Sequence, residues 1–262
     1  MPENIKPIEL LFDEVKWWRL FAAFLILGAA AGWAGWSIRK PIYESKASIS
    51  VMIDFTRTGK LSDIEEDLAM VAVGDIIKSS QVKDEVVVQS EVRGVSLKGI
   101  DLEEITFLER QNEKWILRVR DEKASDAKEL ANLWANISFA ALQDAYGHAL
   151  KADVLEKYTD SLVNCLEQSA AVEPVQTECG ISNLEGILSE IENTNVLVKK
   201  EKLDGQGIMA ASTFRISERA GQATDPVRYG RGVMIISGAI MGFFIAALSI
   251  LMGLPGWIKM RK

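Results

Sequence analysis

The chain's one histidine, His148, follows Asp144 by one helical turn. At that spacing a carboxylate can orient an imidazole for general-base work. Such a base also needs a nucleophile and a cleft, and the flanking residues indicate neither. A solvated or interhelical histidine accounts for the position better. Cys165 and Cys179 are the two cysteines. With no histidine or further cysteine beside them they do not form a zinc site. Two readings stay open. They are a disulfide stapling the intervening loop, if this region lies outside the cytoplasm, or a pair of semi-buried thiols. The sequence contains no glycine-rich phosphate loop, GxSxG, HExxH or Cys-x-x-Cys. Its carboxylates fall at the spacing of solvated helix faces, as in Glu65-Glu66-Asp67. No catalytic residue, metal or cofactor is expected, and the chain reads as a non-enzyme.

Without chemistry to position, the elements themselves become informative, and they are organised by two apolar ends. Trp17 to Trp36 is uncharged except for Arg19, which can snorkel. At about 1.5 Å per residue this run crosses a bilayer core. Trp17 and Trp18 at one end, and Trp33 and Trp36 at the other, match interfacial aromatic belts. Gly28, Gly32 and Gly35 form a small-residue face for helix packing. A cleaved signal peptide fits poorly, because its leading segment would be partly acidic and its apolar run too long. Val233 to Leu254 is the second uncharged run. Gly238 and Gly242 give it a GxxxG, which reads either as a packing motif or as ordinary small residues of a membrane helix. Lys259, Arg261 and Lys262 place the C-terminus in the cytoplasm by the positive-inside rule. Both termini are then inside. Arg39, Lys40, Arg228 and Arg231 on the outer side run against that rule without reversing it.

The expected organisation is a cytoplasmic amphipathic segment at 1–16, a span at 17–36, an outer domain at 37–230, a span at 231–255 and a basic tail at 256–262. In the first segment Ile8, Leu11, Phe12 and Val15 line one helical face, which either docks a partner or rests at the membrane surface. The roughly 190 residues of the outer domain suffice for a real core. The mean hydropathy of +0.07, with 26% charged residues, fits a polar domain with apolar ends. Residues 37–230 hold 33 acidic against 23 basic residues. That excess disfavours nucleic acid as a partner.

Pro41 stops the first helix. Strand alternation follows over Pro41 to Phe55, with a turn at Thr58-Gly59-Lys60. Ser62 and Glu65 have capping-box spacing for a helix over 62–79, with Ile64, Leu68, Val71, Ala72 and Ile76 expected inside. A second helix is expected over Gln81 to Gln89. Residues 104–120 read as a hairpin turning at Gln111-Asn112-Glu113, with Ile105, Phe107 and Leu108 as candidates for the inward face of the first strand and Trp115, Leu117 and Val119 for that of the second. Ser125-Asp126 caps a long helix from near Ala124, whose face includes Leu130, Trp134, Ile137 and Ala141. The chain turns near Pro174. A return helix over Ser182 to Lys202 buries Leu184, Ile187, Leu188, Ile191, Asn195 and Val198. These two helices make a hairpin over about 124–203, and a bond between Cys165 and Cys179 would clamp its tip. Ser212 to Ala220 is the last strand, expected beside the first. The fold class is α+β: two transmembrane helices flanking a membrane-proximal α/β domain with a long antiparallel helical protrusion.

Four segments carry a resemblance. They are KPIELLFDEVKWW, PIYESKASISV, WILRVRDEKASDAKELANLWANIS and the stretch around Pro226. Together they resemble the Wzz-type chain-length determinants, the polysaccharide co-polymerase family. The stretch before the second span is thin in proline, and the domain is shorter than in enterobacterial members. The resemblance implies an inner-membrane protein with its main domain in the periplasm. It implies a ring-shaped homo-oligomer, for which eight subunits is one candidate number. Such a ring regulates the length of O-antigen, capsule or exopolysaccharide chains, with a membrane polymerase and the growing glycan as partners. Pro41, Tyr43 and Pro226 would form the membrane-exit motif. Gly28, Gly32, Gly238 and Gly242 are candidates for span packing. Two other roles stay open: an adaptor for a separate cytoplasmic tyrosine kinase, and a two-span sensor with an outer ligand-binding domain.

Overall fold

A computed structural model describes residues 15–95, 97, 101–171 and 184–252. The face formed by Ile8, Leu11 and Phe12, the turn near Pro174, Cys179 and the basic tail lie outside the described residues. The chain divides into two compact units. One comprises Met1–Glu44, Arg120–Ala124 and Ala223–Lys262, and the other Ser45–Val119 and Ser125–Gln222.

The first unit is built on two apolar helices, α1 (Val15–Ile38) and α8 (Arg231–Leu251), packed along each other. Both are long and apolar enough to cross a membrane. Beyond the helices the incoming and outgoing chains meet. Ile42 N–H donates to Arg228 O at 3.2 Å, and Val227 N–H donates to Ile42 O at 2.8 Å. Glu44, its side chain only 5% exposed, pairs with Arg120 through Nε at 2.8 Å. A carboxylate this enclosed needs such a partner, because an unpaired buried charge is far costlier than the pair.

The second unit is an antiparallel sheet covered by helices. β1 (Tyr43–Ile53) and β4 (Ser212–Glu218) are neighbours, as the sequence leads one to expect, with Val51 opposite Phe214 and Ile53 opposite Ser212. β2 (Thr106–Gln111) and β3 (Lys114–Asp121) form the expected hairpin, and the sheet order is β2-β3-β1-β4. Asn112 takes the positive φ that its tight turn demands. Ala47, Ile49, Val51, Trp115, Leu117 and Val119 enter the core from one sheet face. Phe107 does not join them. It is paired with Arg118 on the opposite face, and Leu108 is the residue aligned with Leu117.

The linker after β1 departs from a simple turn. Asp54 accepts from Thr56 N–H at 2.9 Å and starts one turn of helix, α2 (Phe55–Thr58), ending at Gly59. α3 (Asp63–Lys78) opens with the expected reciprocal capping box between Ser62 and Glu65. Its buried side keeps Ile76, as spacing suggests, but is rotated away from Ile64, Leu68 and Val71. Ala69, Met70, Val73, Ile76 and Ile77 face the core, while Ile64 and Leu68 are 72% and 63% exposed. The reason is Gly74. A Cβ there would lie 2.6 Å from the Trp115 ring, so the glycine lets the indole lie against the helix. Two stripes satisfy helical period, and the one able to accept Trp115 is buried.

α4 (Ser80–Val92) is capped by Ser79, and a one-turn α5 (Leu102–Ile105) precedes β2. α6 (Ala124–Ala171) has 48 residues and is therefore about 72 Å long. Its inner stripe holds Leu130, Trp134 and Ile137 as expected. Ser125 and Asp126 lie inside its first turn and hydrogen-bond each other at 2.9 Å. α7 (Leu184–Asp204) buries Ile187, Thr194 and Val198 and meets α6 through the His148–Glu201 and Lys202–Glu156 pairs. Leu188 and Asn195, expected inside, are exposed. The buried positions step by seven and four, a narrower seam than the broad apolar face of a core helix.

Candidate functional site

The helix pair of the first unit has a seam without side chains. A Cβ on Gly28 would lie 2.2 Å from Gly238 O, and one on Gly238 would lie 2.3 Å from Gly28 O. A Cβ on Gly32 would meet Met234 O at 2.2 Å, and one on Gly242 would meet Phe24 O at 2.2 Å. No real Cβ tolerates such distances, so any larger residue must separate the backbones. Close approach of this kind supplies dispersion contacts where lipid offers no hydrophobic drive to associate. Phe21 and Phe243 close one end of the seam, with ring centroids 5.2 Å apart.

At the other end of the pair the chain leaves α1 and rejoins α8. Pro41 and Tyr43 flank Ile42, whose bridge to Arg228 lies two residues after Pro226. Four cations gather in this stretch. Lys40 is held by Glu122 at 2.5 Å. Arg39 instead donates to the Tyr229 hydroxyl at 3.1 Å, with its guanidinium carbon 5.3 Å from that ring's centroid. Arg231 lies 5.4 Å from the centroid of Trp36. Both distances fall within the range of cation–π attraction.

In the second unit His148 Nδ1 lies 2.6 Å from Glu201 Oε2. The interhelical role expected for this histidine is the one it has, joining α6 to α7. The hydrogen bond from the imidazole, helped by Lys151, holds the Glu201 carboxyl below its ordinary range. Near this junction an open cleft of about 610 Å³ is lined by charged side chains that pair among themselves. Lys157 and Arg57 reach Asp153 at 2.8 and 3.7 Å, and Lys202 pairs with Glu156. The cleft therefore presents compensated charge. Among the described residues no group of three or more His, Cys, Asp or Glu is placed to hold a metal.

No family model matches the chain, and no curated protein matches it. Solved structures do. The chain is similar in structure to Wzz polysaccharide co-polymerases. A full-length bacterial polysaccharide co-polymerase aligns over 98% of this chain and 99% of its own, at 13% identity and a TM-score of 0.40. A fragment of WzzB, a polysaccharide co-polymerase from Salmonella Typhimurium, covers 71% of this chain and 98% of its own, at 14% identity and a TM-score of 0.29. The wild-type Shigella flexneri O-antigen chain-length regulator WzzBSF covers 71% and 99%, at 13% identity and a TM-score of 0.20.

Three groupings went unread in the sequence. Asn132 uses both ends of its amide on one residue, accepting from Ala220 N–H at 2.9 Å and donating to Ala220 O at 3.1 Å. It thereby fixes the chain after β4 to α6 in the manner of a strand neighbour. Trp134 Nε1 donates to Ile77 O at 3.2 Å and fastens α6 to the end of α3. The pairing of Arg39 with Tyr229 spans 190 positions. No local period signals any of the three. Cys165 lies on α6, and its pairing with Cys179 remains a proposal, as do the roles of Pro41, Tyr43, Pro226 and the four seam glycines.

Proposed function

We propose that the chain is a non-enzymatic regulator of surface-polysaccharide chain length. On this reading several copies assemble side by side in the bacterial inner membrane, with the second unit in the periplasm. The assembly holds or times a membrane polymerase acting on O-antigen, capsule or exopolysaccharide. The observation that carries the reading is the β1–β4 pair. It joins the strand that follows one apolar helix to the strand that precedes the other, and the long α6 is inserted between them in sequence. A domain so tethered at both ends, with charge compensated in the cleft beside the His148–Glu201 junction, suits lateral assembly better than turnover of a substrate.

A surface for that assembly is available. Ile64 and Leu68 on α3, with Val88 and Val92 on α4, are exposed apolar residues of the acidic second unit. Helix faces of this kind, left over after the core is filled, are what a second copy would cover. The test is genetic. Deleting the gene should replace a discrete modal length of surface polysaccharide by an unregulated ladder on a gel. An unchanged ladder sinks the reading.

A further inference from the structure

We propose that Arg39, Arg228 and Arg231 form a clamp for the phosphate group of a membrane lipid. The inference rests on α1 and α8 crossing a membrane, and it does not depend on the chain-length reading. Basic residues normally accumulate at the cytoplasmic ends of spans. These three sit instead at the end of the pair that leads into the second unit, the end opposite the basic C-terminal tail in sequence. Their packing is also unusual. The fold supplies carboxylates close by, since Glu122 takes Lys40 and Glu44 takes Arg120. Yet among the described residues none of the three arginines has a carboxylate partner.

Aromatic groups hold two of them instead. Tyr229 receives Arg39 through both its ring and its hydroxyl, and Trp36 receives Arg231. Arg228 is fixed by its backbone bridge to Ile42. An arginine resting on a ring keeps most of its five N–H donors, which match phosphate oxygens in a bidentate fork. Trp36 and Tyr229 have the amphipathic character that sets side chains at headgroup depth. Three cations at one end of the helix pair border a low-dielectric slab, and a lipid phosphate there compensates their charge. The ligand is therefore a headgroup with an exposed phosphate, not a neutral or zwitterionic surface.

The full chain in phosphatidylcholine nanodiscs doped with phosphatidic acid provides the test, with bound phosphatidic acid counted by native mass spectrometry. Each arginine near a charged surface contributes about 1 kcal/mol, or about fivefold. The triple variant Arg39→Gln/Arg228→Gln/Arg231→Gln should then lose on the order of a hundredfold in retention if the three act independently. Lys60→Gln, a charge change in the second unit, should bind as the parent does. The triple Arg→Lys variant keeps the charge and loses the fork, and should retain only part of the affinity. Equal retention by the Gln variant overturns the proposal, provided its circular dichroism shows it folded. Equal retention by the Lys variant reduces the clamp to bulk charge and also overturns it. Competition by inorganic phosphate at the affinity of the lipid would assign the site to a soluble anion and overturn the lipid assignment.

Discussion

Gly74 lies inside a helix, where alanine is ordinarily more favourable by roughly 0.5–1 kcal/mol. The structure reverses that expectation. A methyl at Gly74 would press on the buried Trp115 ring, and overpacking of a filled core costs about 1–3 kcal/mol. Gly74→Ala should therefore lower the unfolding free energy in denaturant titrations; a stabilised variant would mean that Trp115 is not seated there. Glu201 makes a pH-dependent prediction. Its carboxyl is held below the ordinary value by the hydrogen bond from His148. The folded state therefore favours the ionised form, and the stability this adds is present above the ordinary glutamate range. It is lost as pH falls through the depressed value. Thermal melts of the parent and Glu201→Gln chains should differ near neutrality and converge in acid. A difference that persists unchanged into acid would show that the carboxylate's ionisation is not what matters.

At the scale of elements, the α1–α8 seam has the tightest tolerances. Leucine at Gly28 or Gly238 must move the helices to the separations of about 8–10 Å usual for larger side chains. Cysteines introduced as Phe21→Cys and Phe243→Cys should cross-link in the parent and fail to do so in Gly28→Leu. Gly232→Leu, where an added Cβ meets nothing within 4 Å, should cross-link normally. Equal cross-linking in all three would show that the glycines do not set the approach. The order and type of elements were readable because period and caps are local signals. The alternation in β1, the Ser62–Glu65 box and the stripe through Leu130, Trp134 and Ile137 each act within a few residues. The buried side of α3 was readable only at Ile76, because two stripes satisfy the same period and Trp115, from another strand, chooses between them. Phe107 was misassigned for a related reason. The register of the β2–β3 hairpin decides its face, and Phe107 and Leu108 are adjacent apolar residues competing for one inward position. The candidate sites were legible as residue types but not as pairs, since Arg39 and Tyr229 meet only after the whole second unit has been threaded between them.

At the scale of the whole molecule, the proposed assembly would pack copies together through the exposed apolar stripes of α3 and α4. Leu68→Glu places a charge on the exposed stripe of α3 without touching the core. It should dissociate the detergent-solubilised assembly on size-exclusion chromatography with light scattering, while leaving the melting temperature of the separated chain within a few degrees of the parent. An unchanged assembly would move the contact elsewhere on the surface. The central claim concerns the glycan and is most directly tested by electrophoresis of surface polysaccharide from a deletion strain, complemented in turn by the parent gene and by Gly28→Leu/Gly238→Leu. A discrete modal length restored by the parent, with an unregulated ladder from both the deletion and the variant, is the predicted result. The same length distribution in all three strains would contradict the account.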